Sequence, residues 1–187
     1  MYRRIFIAIN IPGRIRKKLA QHQADWPELP AKWTKEENLH ITVIFLGSVS
    51  EMDLPDICRI TNEVAKRHEP FLIKLNQVCY GPNKKMPPRM IWAKGDPSME
   101  LTKLKEDLNK SLSESVNFHK EEKALIPHVT LARIKAWDWK KIEPEERPMV
   151  KKEIDFEFEI ESIDIMESEL NKIGPEYIVL ESIPLKF

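Results

Sequence analysis

The chain of 187 residues carries 30 basic and 30 acidic side chains, with 42% hydrophobic and 32% charged residues. This composition suits one folding domain, and no apolar run reaches the length a membrane-crossing helix needs. A formal charge of zero argues against a protein that coats long nucleic acid, which depends on a basic excess, but leaves a small anionic ligand or the end of an RNA open.

In chain order, Arg3–Ile9 reads as a buried first strand. Its apolar stretch is too short for a signal peptide, and Asn10-Ile11-Pro12-Gly13 reads as a strand end and turn. A helix follows to about Ala24, with Ile15 and Leu19 on one face. Residues 39–46 form a strand closed by Gly47. A helix over 53–68 bears Leu54, Ile57, Cys58 and Val64, and a strand covers 71–79. A further strand spans 89–94, and Asp96-Pro97 supplies the cap and first turn of a helix bearing Met99, Leu101, Leu104, Leu108 and Leu112. Then come a strand at 128–134, a short helix at 137–143, an alternating strand at 154–165 and a last strand at 176–183. Cys58 and Cys79 read as small buried hydrophobes, not a disulfide, and no Cys/His cluster has zinc-site spacing. A reducing cytoplasm is the expected setting.

The order strand, helix, histidine strand, helix, strand thus occurs twice, over about 2–80 and 89–166, and the whole chain 1–187 reads as a single domain built on that repeat. At matching places stand Leu39-His40-Ile41-Thr42 and Pro127-His128-Val129-Thr130, the histidines 88 residues apart. In a strand, residues two apart share a face, so each histidine points with its threonine, away from a core face that takes Leu39, Ile41, Val43 and Phe45 in one strand and Val129 and Leu131 in the other. Chance predicts roughly 0.1 such histidine–threonine spacings in this composition, and two about one time in a hundred. A polar pair inside an apolar strand requires a reason, because burial without partners is costly. His22, His68 and His119 read as surface residues.

Two opposed imidazoles suit phosphodiester hydrolysis: one takes a proton from the attacking water while the other protonates the departing oxygen. Thr42 and Thr130 can donate hydrogen bonds to non-bridging phosphate oxygens. Such chemistry needs no metal or other cofactor. Lys84, Lys85 and Arg89 form a basic loop beside Pro87-Pro88 that, if not simply solvated, could hold an entering strand.

The chain resembles the RNA 2',3'-cyclic phosphodiesterases, or 2'-5' RNA ligases, of the two-histidine phosphoesterase superfamily. The likeness is carried by Arg4-Ile5-Phe6-Ile7-Ala8-Ile9, Trp33, Asn38 to Thr42 with Phe45-Leu46-Gly47, Pro88-Arg89, Ile91-Trp92-Ala93, Pro127 to Arg133, Ser168-Glu169-Leu170 and Gly174 to Tyr177. It implies an α+β fold of two lobes related by a pseudo-two-fold axis, with a central cleft between two antiparallel sheets. It also implies hydrolysis of RNA 2',3'-cyclic phosphate ends to 2'-phosphate, with His128 as base and His40 as acid, and 2'-5' ligation as the reverse path. Arg133 matches a phosphate-side arginine, although strict alternation puts it opposite His128, so a bend must redirect it. Trp33 and Tyr177 are candidates to stack on a base, while Trp92 reads as a core ring. The expected partner is an RNA terminus or a cyclic nucleotide, with neither a membrane nor an obligatory protein partner. A 2'-5' oligonucleotide or RNA-end exonuclease, or a non-catalytic RNA-binding module, are the alternatives. The segment 135–150 matches nothing assigned.

Overall fold

A computed structural model of the protein describes residues 1–82, 87–120, 125–171 and 174–186. Lys84 and Lys85 of the basic loop lie outside these residues. The strands are β1 (Tyr2–Asn10), β2 (Ala31–Trp33), β3 (His40–Ser50), β4 (Phe71–Gly81), β5 (Met90–Gly95), β6 (His128–Ile134), β7 (Lys151–Ile160), β8 (Ser162–Asn171) and β9 (Gly174–Pro184). The helices are α1 (Gly13–Gln21), α2 (Leu54–Ala65), α3 (Met99–Leu112) and α4 (Ala136–Lys140). No helix is long and apolar enough to cross a membrane among the described residues.

All strand pairs are antiparallel, in the order β7-β4-β5-β6-β3-β1-β8-β9, with β2 alongside β6. The two halves of this sheet, β7-β4-β5-β6 and β3-β1-β8-β9, meet through one register pair, Ile41 opposite Val129. Both side chains are fully buried, and an aliphatic side chain so buried contributes about 1.5–3 kcal/mol. β4, from the first sequence repeat, pairs with β5 of the second, while β8, from the second, pairs with β1 of the first. β4 is thus carried into the half built on β5 and β6, and β8 with β9 into the half built on β1 and β3.

The helices pack as their apolar stripes dictate. Ile15 and Leu19 of α1 are buried. Helix α2 buries Ile57 and Val64, adds Ile60, Thr61 and Ala65, and packs against α3, β8 and β9. Helix α3 buries Leu101, Leu104, Leu108 and Leu112, but Met99 at its first turn is exposed. Its cap is Ser98, whose hydroxyl accepts from the Leu101 amide at 3.1 Å, and not Asp96-Pro97. Asp96 accepts instead from the Asn76 side chain at 2.8 Å.

Other expectations change for identifiable reasons. The alternating run 154–165 is two strands: the chain breaks at Glu161, leaving β4 to enter the other half of the sheet beside β1. Strand β3 passes through Gly47 to Ser50, because Gly47 adopts φ of 77° at an irregular register. The helix expected to reach Ala24 ends at Gln21, and the tight 3-10 turn that follows turns His22 inward. His22 is consequently buried, its Nδ1 2.6 Å from Asp25, whose carboxylate also receives Lys152 at 2.7 Å. His68 lies 2.9 Å from Asp107 and is largely covered, so only His119 is at the surface as expected. Cys58 and Cys79 are half-buried and unpaired.

Candidate active site

β3 and β6 lie side by side and carry the same burial sequence over their first six residues: half-buried, buried, half-buried, buried, buried, exposed. The repetition of two buried residues in the middle is a β-bulge. Between β1 and β3 the register runs from Ala8 opposite Thr42 to Ile7 opposite Ile44, stepping over Val43. Between β5 and β6 it runs from Trp92 opposite Thr130 to Ile91 opposite Ala132, stepping over Leu131. One extra residue reverses the alternation of everything beyond it. Phe45, five positions after His40, thus leaves the core and is 64% exposed. Arg133, five positions after His128, returns to the face of its histidine. The bend that Arg133 requires is this bulge, and the placing of Phe45 in the core is corrected by its counterpart.

The two histidine faces line one cleft of about 570 Å³, together with Thr42, Thr130, Phe45, Arg133, Trp33 and Tyr177. Arg4, Lys32 and Lys35 also line it, so among the described residues every charged side chain other than the histidines in its wall is a base. A basic cleft wall coexists with a formal net charge of zero, because no described acidic residue lines it. Lys32 comes from β2, opposite Arg133 in register, on a strand the periodicity did not disclose since it is only three residues long. Arg4, Phe6 and Asn38 entered the sequence reading only within the segments that carry the resemblance, without a role at the site, and Lys35 was not singled out.

Each imidazole is held by its own strand entry. His40 Nδ1 lies 2.8 Å from the Asn38 carbonyl, and His128 Nδ1 2.8 Å from the Ile126 carbonyl. A carbonyl only accepts, so both Nδ1 atoms carry the proton and protonation changes take place at Nε2. His40 Nε2 is 3.0 Å from Thr42 Oγ1. The Asn38 side chain donates to the Pro175 carbonyl at 3.1 Å, tying this turn to β9. Tyr177 on β9 stands edge-on to His40 at 5.1 Å, and Phe6 is tilted against it at 5.1 Å. Burial among these rings holds the His40 pKa below the ordinary imidazole value. The Asn38 carbonyl opposes that shift, and the charge of His128 adds to it. Burial also pushes the Tyr177 hydroxyl up, against the pull of Arg133 and Arg4. Around His128 the setting differs: Trp92 is half-buried and stacks on the imidazole at an interplanar angle of 30°, with ring centroids 4.0 Å apart. It packs against a cleft histidine rather than serving only as a core ring.

A bilobal antiparallel fold with paired histidine–threonine strands facing a basic cleft defines a two-histidine phosphoesterase architecture. The profile of the LigT-like phosphoesterases matches the chain twice, over residues 9–92 and 95–177. The chain belongs to that family. It is 35% identical over 179 residues to the RNA 2',3'-cyclic phosphodiesterase of Methanocaldococcus jannaschii, covering 95% of this chain and 98% of that one. Against the enzyme of the same name from Thermus thermophilus it is 30% identical, covering 98% and 90%. A crystal structure of a Thermus thermophilus protein superimposes with a TM-score of 0.83 at 30% identity, over 98% of both chains. Escherichia coli LigT, solved in complex with 3'-AMP, shares the fold with a TM-score of 0.78 at 21% identity, over the full length of both.

Proposed function

We propose that the protein hydrolyses RNA 2',3'-cyclic phosphate ends to 2'-phosphate by acid–base catalysis between His40 and His128, with 2'-5' ligation as the reverse of the same path. The observation that carries this reading is the pair of equivalent histidine–threonine faces in one cleft whose charged walls are basic. Relatives named RNA 2',3'-cyclic phosphodiesterase over nearly the whole chain support the substrate class. The phosphate sits between the imidazoles, with Thr42 and Thr130 donating to its non-bridging oxygens and Arg133 offsetting its charge. Trp33 and Tyr177 offer aromatic faces or edges to the terminal base. Water attacks phosphorus, the bond to the 3'-oxygen breaks, and the proton taken from water is balanced by the one given to that oxygen.

In this division His128 is the base and His40 the acid. Burial favours neutral His40 in the free protein, so as an acid it takes up its proton when the anionic phosphate arrives. The reversed division, with neutral His40 as base, is the second reading that the same burial favours. Both divisions give a bell-shaped pH profile of kcat/KM with the same limbs, so a cyclic phosphate whose 3'-bridging oxygen is replaced by sulfur, a leaving group that needs no proton, separates them. His40→Ala keeps turnover of that substrate if His40 is the acid and loses it if His40 is the base.

The direct test incubates the purified protein with an oligoribonucleotide ending in a 2',3'-cyclic phosphate, with EDTA present throughout. The expected product carries a 2'-phosphate, and His40→Ala or His128→Ala lowers turnover by roughly 10²–10⁴-fold. Full turnover in either variant, or loss on chelation restored by a divalent ion, refutes the mechanism. Cleavage confined to linear 2'-5' or 3'-5' oligonucleotides moves the protein to another activity.

A further inference from the structure

The segment 135–150, which neither the sequence repeat nor the resemblance accounts for, begins where the cleft ends. Strand β6 presents His128, Thr130 and Arg133 to the cleft and then runs straight into α4. Trp137 follows Arg133 by four positions, and a chain reaches at most about 3.6 Å per residue, so their Cα atoms lie within about 14 Å of each other. The junction is fixed by the backbone. The Ile134 amide donates to the Arg89 carbonyl at 3.0 Å, and the Lys135 amide to the Pro30 carbonyl at 2.8 Å. Trp139 anchors the helix: it is fully buried, edge-on to Tyr80 at 5.4 Å.

Residues two apart on a helix point about 200° apart around its axis. Burial of Trp139 therefore turns Trp137 outward, and its side chain is 75% exposed. Tryptophan is among the side chains most covered on average, so an indole left in water calls for a reason other than folding. The helix period brings Lys140 and Lys141, three and four positions on, to the same side as Trp137. Lys141 Nζ stands 5.7 Å from the indole centroid and 3.0 Å from Asp138, steadying one face of the ring. Arg89 and Lys135, at the junction with β6, are exposed. From Lys135 to Lys141 the segment holds three lysines and one acid, Asp138; beyond it Glu143, Glu145 and Glu146 reverse the sign. Ground favourable to a polyanion is thus confined to the stretch of chain that adjoins the cleft.

We propose that Trp137 is a stacking platform for a base upstream of the cyclic-phosphate end, with Arg89 and Lys135 meeting the phosphates between that base and the cleft. The inference rests on the RNA-end reading given above and deepens it: the substrate is an RNA strand and not a free cyclic nucleotide. A cleft of about 570 Å³ receives the terminal nucleotide, and the rest of the strand leaves past residues that combine a flat aromatic face with cations. That combination binds single strands without reading sequence. A neutral protein can hold an RNA in this way, because only a few phosphates need be met.

The test compares two substrates, a short oligoribonucleotide ending in a 2',3'-cyclic phosphate and a cyclic mononucleotide, which fills the cleft alone. In the wild-type protein kcat/KM is higher for the oligonucleotide. Trp137→Ala is expected to lower the ratio of the two values roughly 10-fold, through KM, the size of one lost base stack; Trp137→Phe restores part of it. The double variant Arg89→Gln, Lys135→Gln also lowers the ratio and flattens its dependence on salt. A second arm needs no turnover: fluorescence anisotropy with a labelled oligoribonucleotide ending in 2'-phosphate, bound more weakly by Trp137→Ala than by the wild type. A ratio and an affinity that Trp137→Ala leaves unchanged overturn the proposal and assign the indole to a protein surface instead. A wild-type protein that turns over no cyclic phosphate, yet loses affinity for the strand in Trp137→Ala, refutes the catalytic reading alone and leaves the platform standing.

Discussion

Burial among Phe6, Tyr177 and the strand backbone makes a charged His40 unfavourable in the folded protein. Because the folded-state value lies below that of the unfolded chain, the unfolded state binds the proton first as pH falls. The contribution to stability is fully present above about pH 6.5 and is lost on acidification toward the lower folded value. Urea midpoints measured between pH 7.5 and pH 5.5 should therefore fall more steeply in the wild type than in His40→Gln. A midpoint difference between the two proteins that does not change with pH would show that His40 carries no such linkage. At this scale the sequence was readable where alternation alone decides, as for His40 with Thr42 and His128 with Thr130. His22 was not, since a helix that stops at Gln21 and tightens into a 3-10 turn reverses the facing of the next side chain.

Two bulges determine what the histidine strands present to the cleft. A period-two reading assigns Phe45 to the core and Arg133 away from His128, and both assignments fail because Val43 and Leu131 are stepped over. Nothing in the residues Val43-Ile44 or Leu131-Ala132 signals a bulge in advance, since both are apolar pairs that a plain buried strand also tolerates. Their identical spacing from the two histidines became visible only once the register was known. Farther along β3, Gly47 at φ 77° has no atom within 4 Å of where a Cβ would lie. The cost of a side chain there is conformational alone, about 1–2 kcal/mol for an L-residue in the left-handed region. Gly47→Ala should lower the unfolding free energy by about that amount, and Gly47→Asn by less, because asparagine tolerates this conformation. Equal losses in chemical denaturation would point to side-chain crowding instead. Elsewhere the expected elements largely formed, and the chief miss, one strand where β7 and β8 stand, fell where a chain changes sheet partners without changing its alternating pattern.

For the molecule as a whole, the exchange of β4 and β8 makes each half of the sheet depend on both sequence repeats. Tryptophan fluorescence and far-ultraviolet circular dichroism should report one coincident unfolding transition, despite two lobes and a cleft. A fragment of residues 1–88 should not fold by itself, because its β4 would lack β5 and β7 and its β1 would lack β8. Separate transitions for the two probes, or a cooperatively folded fragment, would contradict that dependence. The exchange has an ancestral corollary as well. A chain holding a single copy of the repeat would have an outermost strand with no partner of its own, and could complete its sheet only by lending that strand to a twin. In such a pair each subunit would bring one histidine to a shared cavity on the symmetry axis, the arrangement that the single chain holds within itself.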